Sequence, residues 1–149
     1  LPQKMKLARW EKITGSFFYV GYITKGPGTV TSLLVFIPAW FAERSVLITA
    51  LLILLPVTFY LAYRFEKCVG QDPSAFTLDE VIGSLLVIAC IPHTLTHFAA
   101  FFIIWRLLDI FKPLFKKAEQ IPLGIGIVLD DLIAAACTVG ISYLYTWLR

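Results

Sequence analysis

Three stretches of this chain run without charge for long enough to decide its solvent. Ser45 to Tyr63 is 19 residues bracketed by Arg44 and Arg64, and is the cleanest membrane-spanning candidate. Glu80 and Arg106 enclose 25 uncharged residues interrupted by Pro92, and Leu132 to Leu148 adds 17 more. A chain of 149 residues that is 58% hydrophobic, with mean hydropathy +0.79, cannot hide so much apolar surface in a water-soluble domain. Lipid must be part of its solvent. The expectation is a single-domain, all-α integral membrane protein over residues 1–149, compact and multi-helical, with broken or re-entrant helices.

The remaining composition narrows the class. Net charge is +3, and the basic residues gather near the ends of apolar runs, which fits anionic lipid head groups. No nucleic-acid-binding motif is present. Cys68, Cys90 and Cys137 are odd in number and widely spaced, and read as small core residues rather than a disulfide framework or metal site. Leu1 to Lys12 is basic and polar without the apolar core of a cleavable signal. Residues 1–14, with Trp10 among the lysines and arginines, resemble a short interfacial helix.

Against this apolar background the acids stand out. Asp130 and Asp131 are adjacent inside apolar sequence, just after Gly124-x-Gly126. Two like charges in such surroundings are costly unless a cation offsets them, although acids also suit the start of a helix. Asp79 and Glu80 open another apolar run. Thr77 followed by Glu80 matches a capping box, which gives Glu80 a structural role but leaves Asp79 unexplained. Arg106-x-x-Asp109-x-x-Lys112-Pro113 places three charges on one side of a helix that Pro113 would end. They form either a salt-bridge ladder or a carboxylate metal ligand between two phosphate-holding cations. Lys25-Gly26-Pro27-Gly28-Thr29 is either a turn with a helix start or a cradle for phosphate on free amides, without the Walker spacing. His93 and His97 have metal-ligand spacing but no zincin glutamate, since Thr94 stands there; packing or interfacial roles fit them better.

Whether these acids can meet is a question of topology. If residues 81–105 crossed the bilayer as one straight helix, Asp79 and Asp109 would lie roughly 40 Å apart, at about 1.5 Å per residue. The segments on either side of Pro92 are each too short to cross a hydrocarbon core of about 30 Å. A fold-back at Pro92 returns both acids to one surface, and residues 30–63 would likewise go out and back near Glu43-Arg44. Lys25, Asp79, Glu80, Arg106, Asp109, Lys112, Asp130 and Asp131 then share a face. Of the 13 basic residues, only Arg44 and Arg149 remain opposite, which makes the shared face cytoplasmic.

Five carboxylates are hard oxygen ligands suited to Mg²⁺, and the neighbouring cations suit a phosphoryl group. Other phosphatase chemistries lack their residues: Ser74 stands where a Cys-x5-Arg loop from Cys68 would need its Arg, and no Asp-x-Asp pair is present. A small transporter or channel subunit could also carry intramembrane acids, but it would place them at mid-membrane depth rather than at the ends of apolar runs. A non-catalytic membrane scaffold would need no such set.

In their order, the four constellations resemble the phosphatidylglycerophosphatase A family of bacterial membrane phosphatases. The matching pieces are Lys25-Gly26-Pro27-Gly28-Thr29 with Ser32-Leu33, Asp79-Glu80-Val81-Ile82-Gly83, Arg106-x-x-Asp109-x-x-Lys112-Pro113, and Gly124-x-Gly126-Ile127-x-x-Asp130-Asp131-x-x-Ala134. The resemblance implies Mg²⁺-dependent hydrolysis of phosphatidylglycerophosphate to phosphatidylglycerol and inorganic phosphate. The implied setting is the cytoplasmic side of a bacterial inner membrane, among membrane lipids. Asp79, Glu80, Asp109, Asp130 and Asp131 would be the catalytic and metal residues, with Lys25, Thr29, Arg106 and Lys112 on the substrate phosphate. Thr24, Thr31 and Ala135 depart from the family pattern, as do Tyr19-Val20 and Leu114-Phe115; the acidic and basic positions are all retained.

Overall fold

The computed structural model describes residues 5–23, 25–112 and 120–149. Among them are seven helices and no strand: α1 (Arg9–Gly15), α2 (Val20–Ile23), α3 (Pro27–Trp40), α4 (Arg44–Val69), α5 (Leu78–Cys90), α6 (Leu95–Phe111) and α7 (Ile125–Trp147). The fold is organised around α5. Ten of its 13 residues are buried, because α3, α4 and α7 pack around it. A helix apolar on every side belongs in a core, and this one is too short to cross a bilayer.

The two long helices supply the membrane dimension. With 26 and 23 residues, α4 and α7 are long and apolar enough to span. Val46, Ile48, Leu52 and Ile53 of α4 point outward, as lipid requires and water forbids. Pro56 sits within α4 without ending it. α3 and α4 turn back at residues 41–43, as the charges at Glu43-Arg44 suggest.

The fold-back at Pro92 is present: α5 and α6 are separate helices joined across residues 91–94. Gly83 makes their approach close, since a Cβ there would meet the ring of Trp105 at 2.7 Å. The far end of the bundle is aromatic. Trp40 stacks on His93 with centroids 5.1 Å apart, and His97 packs against Phe101 and Tyr145. His93 Nε2 lies 3.1 Å from the Ile88 carbonyl oxygen, and Thr94 caps α6 by accepting from the His97 amide. The two histidines thus turn to different neighbours in a packed layer.

One local reading changes. Thr77 does not close a capping box: its buried hydroxyl has no hydrogen-bond partner, and the Glu80 amide donates instead to Asp79 Oδ1 at 3.1 Å. α6 ends at Phe111 with Lys112 in the left-handed region, immediately before Pro113, which itself lies outside the described residues.

At the other end of the chain, α1 begins at Arg9 and is pinned to α4. Glu11 accepts from the Ala8 amide at 2.7 Å and from Arg64 Nε at 2.6 Å, and Trp10 lies parallel to Tyr60. Residues 17–19 then run left-handed, at about 1–2 kcal/mol per non-glycine residue. The turn seats Gly21 so tightly on the Ala75 backbone that no Cβ would fit, which fixes the loop between α4 and α5.

Candidate active site

Four helix ends converge on one side of the bundle: the first turns of α3 and α5, the last turn of α6 and the second turn of α7. α3 starts at a left-handed Gly26 followed by Pro27 at its first position, a favoured way to open a helix. α7 starts at Gly124, also left-handed, where a Cβ would fall inside the backbone of Ala62 and Tyr63. The Gly124 amide donates to Glu66, which ties the start of α7 to α4.

Asp79 and Glu80 from α5 and Asp131 from α7 each offer a carboxylate oxygen within 4.8 Å of the others. Asp109 joins them from α6, paired with Arg106 Nη1 at 2.8 Å. Asp79, Asp109 and Asp131 are all at least 94% buried. Burial pushes the Asp79 carboxyl well above the usual carboxylate range, and the charges of Glu80 and Asp109 add to the shift. Desolvation raises Glu80 as well. Glu80 Oε2, Asp109 Oδ1 and Asp131 Oδ2 are buried without a hydrogen-bond partner. Clustered hard oxygens with unmet acceptor capacity fit a hard divalent cation such as Mg²⁺ better than any internal partner.

Adjacent aspartates take different directions because successive helical residues are about 100° apart. Asp131 faces the cluster. Asp130 instead forms an ion pair with Lys112 Nζ, and its Oδ1 accepts from the Asp131 amide at 3.0 Å.

Beside the acids stands a buried cation. Arg106 is 7% exposed, and its Nη2 reaches Thr29 Oγ1 at 3.5 Å. Its Nε and Nη1 make no hydrogen bond of good geometry, although Nη1 lies close to Asp109. Gly28 permits the meeting of acid and cation, since a Cβ there would overlap the Glu80 carboxylate and come within 3.1 Å of Arg106 Nη2. Together these residues line a cavity of about 300 Å³, with Lys112 at its edge.

Of the residues singled out from sequence, the cavity gathers Thr29, Asp79, Glu80, Arg106, Asp109, Lys112 and Asp131. Asp130 stands behind it, and Lys25 is exposed and outside its lining. Asp72, Pro73 and Ser74 form a further wall that the motifs did not reveal. The available signal was the turn chemistry at Gly70 and Pro73 ahead of Asp79.

A sequence profile described as phosphatidylglycerophosphatase A matches residues 13–146, nearly the whole chain. The chain belongs to the phosphatidylglycerophosphatase A family. It is 30% identical over 125 residues to phosphatidylglycerophosphatase A of Escherichia coli, covering 78% of this chain and 72% of that one. It is also 30% identical over 148 residues to a Bacteroides thetaiotaomicron protein provisionally named a phosphatidylinositol-3-phosphatase, covering 91% and 92%. No solved structure gives a significant match. As a member of the phosphatidylglycerophosphatase A family the chain is a membrane lipid phosphatase, and the converging acids and Arg106 lie within the matched residues.

Proposed function

We propose that this phosphatase hydrolyses the terminal phosphate monoester of phosphatidylglycerophosphate, with Mg²⁺, at the cytoplasmic face of a bacterial inner membrane. The observation that carries the reading is the shared cavity, in which carboxylates from α5, α6 and α7 meet Arg106 and the start of α3. The end of the bundle that holds this cavity is also the end to which the sequence assigns most of its lysines and arginines.

Asp79, Glu80 and Asp131 would hold the cation, with Asp109 beside them. When bound, Mg²⁺ would neutralise phosphate charge and stabilise the departing oxygen. Arg106 presents a planar fork of donors to the phosphoryl oxygens. The first amides of α3 add N–H groups at the positive end of a helix dipole, and Gly28 keeps that approach open. Glu80 lies between Gly28 and the acid cluster, placed to take a proton from the attacking water. The water oxygen bonds to phosphorus, the bond to the glycerol oxygen breaks, and that oxygen leaves with the proton that Glu80 took from the water. Lys112, held by Asp130, steadies the phosphate from the rim.

The test is phosphate release by the purified chain in detergent. Phosphatidylglycerophosphate should be turned over, EDTA should stop the reaction, and added Mg²⁺ should restore it. Metal-independent turnover would remove the cation from the reading. Turnover of phosphatidylinositol 3-phosphate in preference would move the substrate to that of the Bacteroides relative's name.

A further inference from the structure

We propose that the seam between α3 and α6 holds one acyl chain of the substrate while its phosphate occupies the cavity, an inference that rests on the lipid phosphatase reading above.

The seam begins at the cavity itself. Thr29 and Arg106, 3.5 Å apart, form its upper end. Helical neighbours recur every three to four residues, so Thr29 continues down α3 through Leu33 and Ile37, while Arg106 continues down α6 through Phe102 and Phe98. Leu33 and Ile37 are exposed on the outside of the bundle, and the two phenylalanines are half-buried. Phe36 forms the floor, fully buried, with its ring 4.9 Å from that of Phe102 and 5.2 Å from that of Phe98.

At its lower end lies an open apolar hollow of about 280 Å³ lined by Ile37, Trp40, Phe41, Leu95 and Phe98. Each stripe descends eight residues, roughly 12 Å at the helical rise. One leaflet of hydrocarbon is about half of a core roughly 30 Å thick, so the seam runs through most of one leaflet. Its polar end meets the phosphate cavity and its apolar end lies roughly 12 Å further along the bundle, which is the polarity of a lipid phosphate.

Other hollows lack this continuity. The one between α6 and α7 is lined on α6 by His97, Phe101 and Ile104, a different face of that helix from the one bearing Arg106. The one beside Ile53 lies on α4, which contributes nothing to the cavity lining.

The seam is tested with long-chain and short-chain versions of one lipid phosphate monoester. Ile37→Trp fills the seam and should lower kcat/KM for the long-chain substrate about tenfold or more, mainly through KM, with a much smaller fall for the short-chain one. Ile37→Ala should keep the wild-type preference, and Ile53→Trp on the α4 surface should change neither substrate. Parallel losses on both substrates, or an unchanged ratio in Ile37→Trp, would overturn the seam. Independently of turnover, a lipid phosphate with a photoactivatable group in mid-chain should label α3 and α6 peptides in the wild-type protein. Labelling chiefly on α4 or α7 would also overturn it. Absence of phosphate release from either substrate by the wild-type protein would instead refute the proposed function, leaving the labelling pattern to judge the seam.

Discussion

The two ends of this bundle are built from similar elements and differ in what they leave unmet. At the far end, Trp40 stacks on His93 and His97 packs edge-on against Tyr145, and among the described residues the buried atom left over there is His97 Nε2. At the near end, three carboxylate oxygens and the Nε of Arg106 are buried without partners, within one cavity lining and beside the Arg106–Asp109 ion pair. An isolated neutral orphan costs about 1–3 kcal/mol and is tolerated in many folds. A cluster of acids around one guanidinium, with several charged atoms unmet, is the arrangement expected of groups kept for a ligand of both charges.

The sharpest way to break this comparison is Asp131→Asn. Turnover should fall about a thousandfold or more while helical content is retained, whereas His97→Phe at the far end should change turnover by less than about threefold. Equal losses in the two variants would mean that the ends do not differ in function. Gly28→Ala should come next, at about a hundredfold, because its methyl group overlaps the Glu80 carboxylate. Asp130→Asn should be milder, about tenfold and expressed largely in KM, since it loosens Lys112 while leaving Asp131 in place. The smallest effect lies outside both ends. Glu11 is held below its ordinary pKa by hydrogen bonding from Arg64. Its contribution to stability is therefore full above the unfolded pKa and is lost as pH falls through the lower, folded one. Glu11→Gln should lower the melting temperature slightly near neutral pH and flatten its acid dependence, as read in thermal melts across pH.

Much of this was legible in the sequence because charge placement constrains a membrane chain strongly. The uncharged runs mark α4 and α7, and the short segments flanking Pro92 can bring Asp79 and Asp109 together only by folding back. Other features depend on three-dimensional neighbours and leave little local trace. Thr77 and Glu80 have the spacing of a capping box, yet Glu80 is drawn toward Gly28 and the acid cluster, so a long-range contact overrides the local motif. The need for glycine at position 28 is set by a residue 52 positions away in sequence. Asp130 and Asp131 look equivalent as a dipeptide, and only the direction in which α7 is rotated separates them. Lys25 sits beside cavity residues in sequence but is exposed outside the cavity in space.

The shortness of α5 has one more consequence. Its first turn carries Asp79 and Glu80, and below them the helix is sealed by Ile82, Val87, Ile88 and Ile91, all essentially inaccessible. Among the described residues, α5 therefore closes the bottom of the cavity, and phosphate released there would leave by the side from which the lipid head entered.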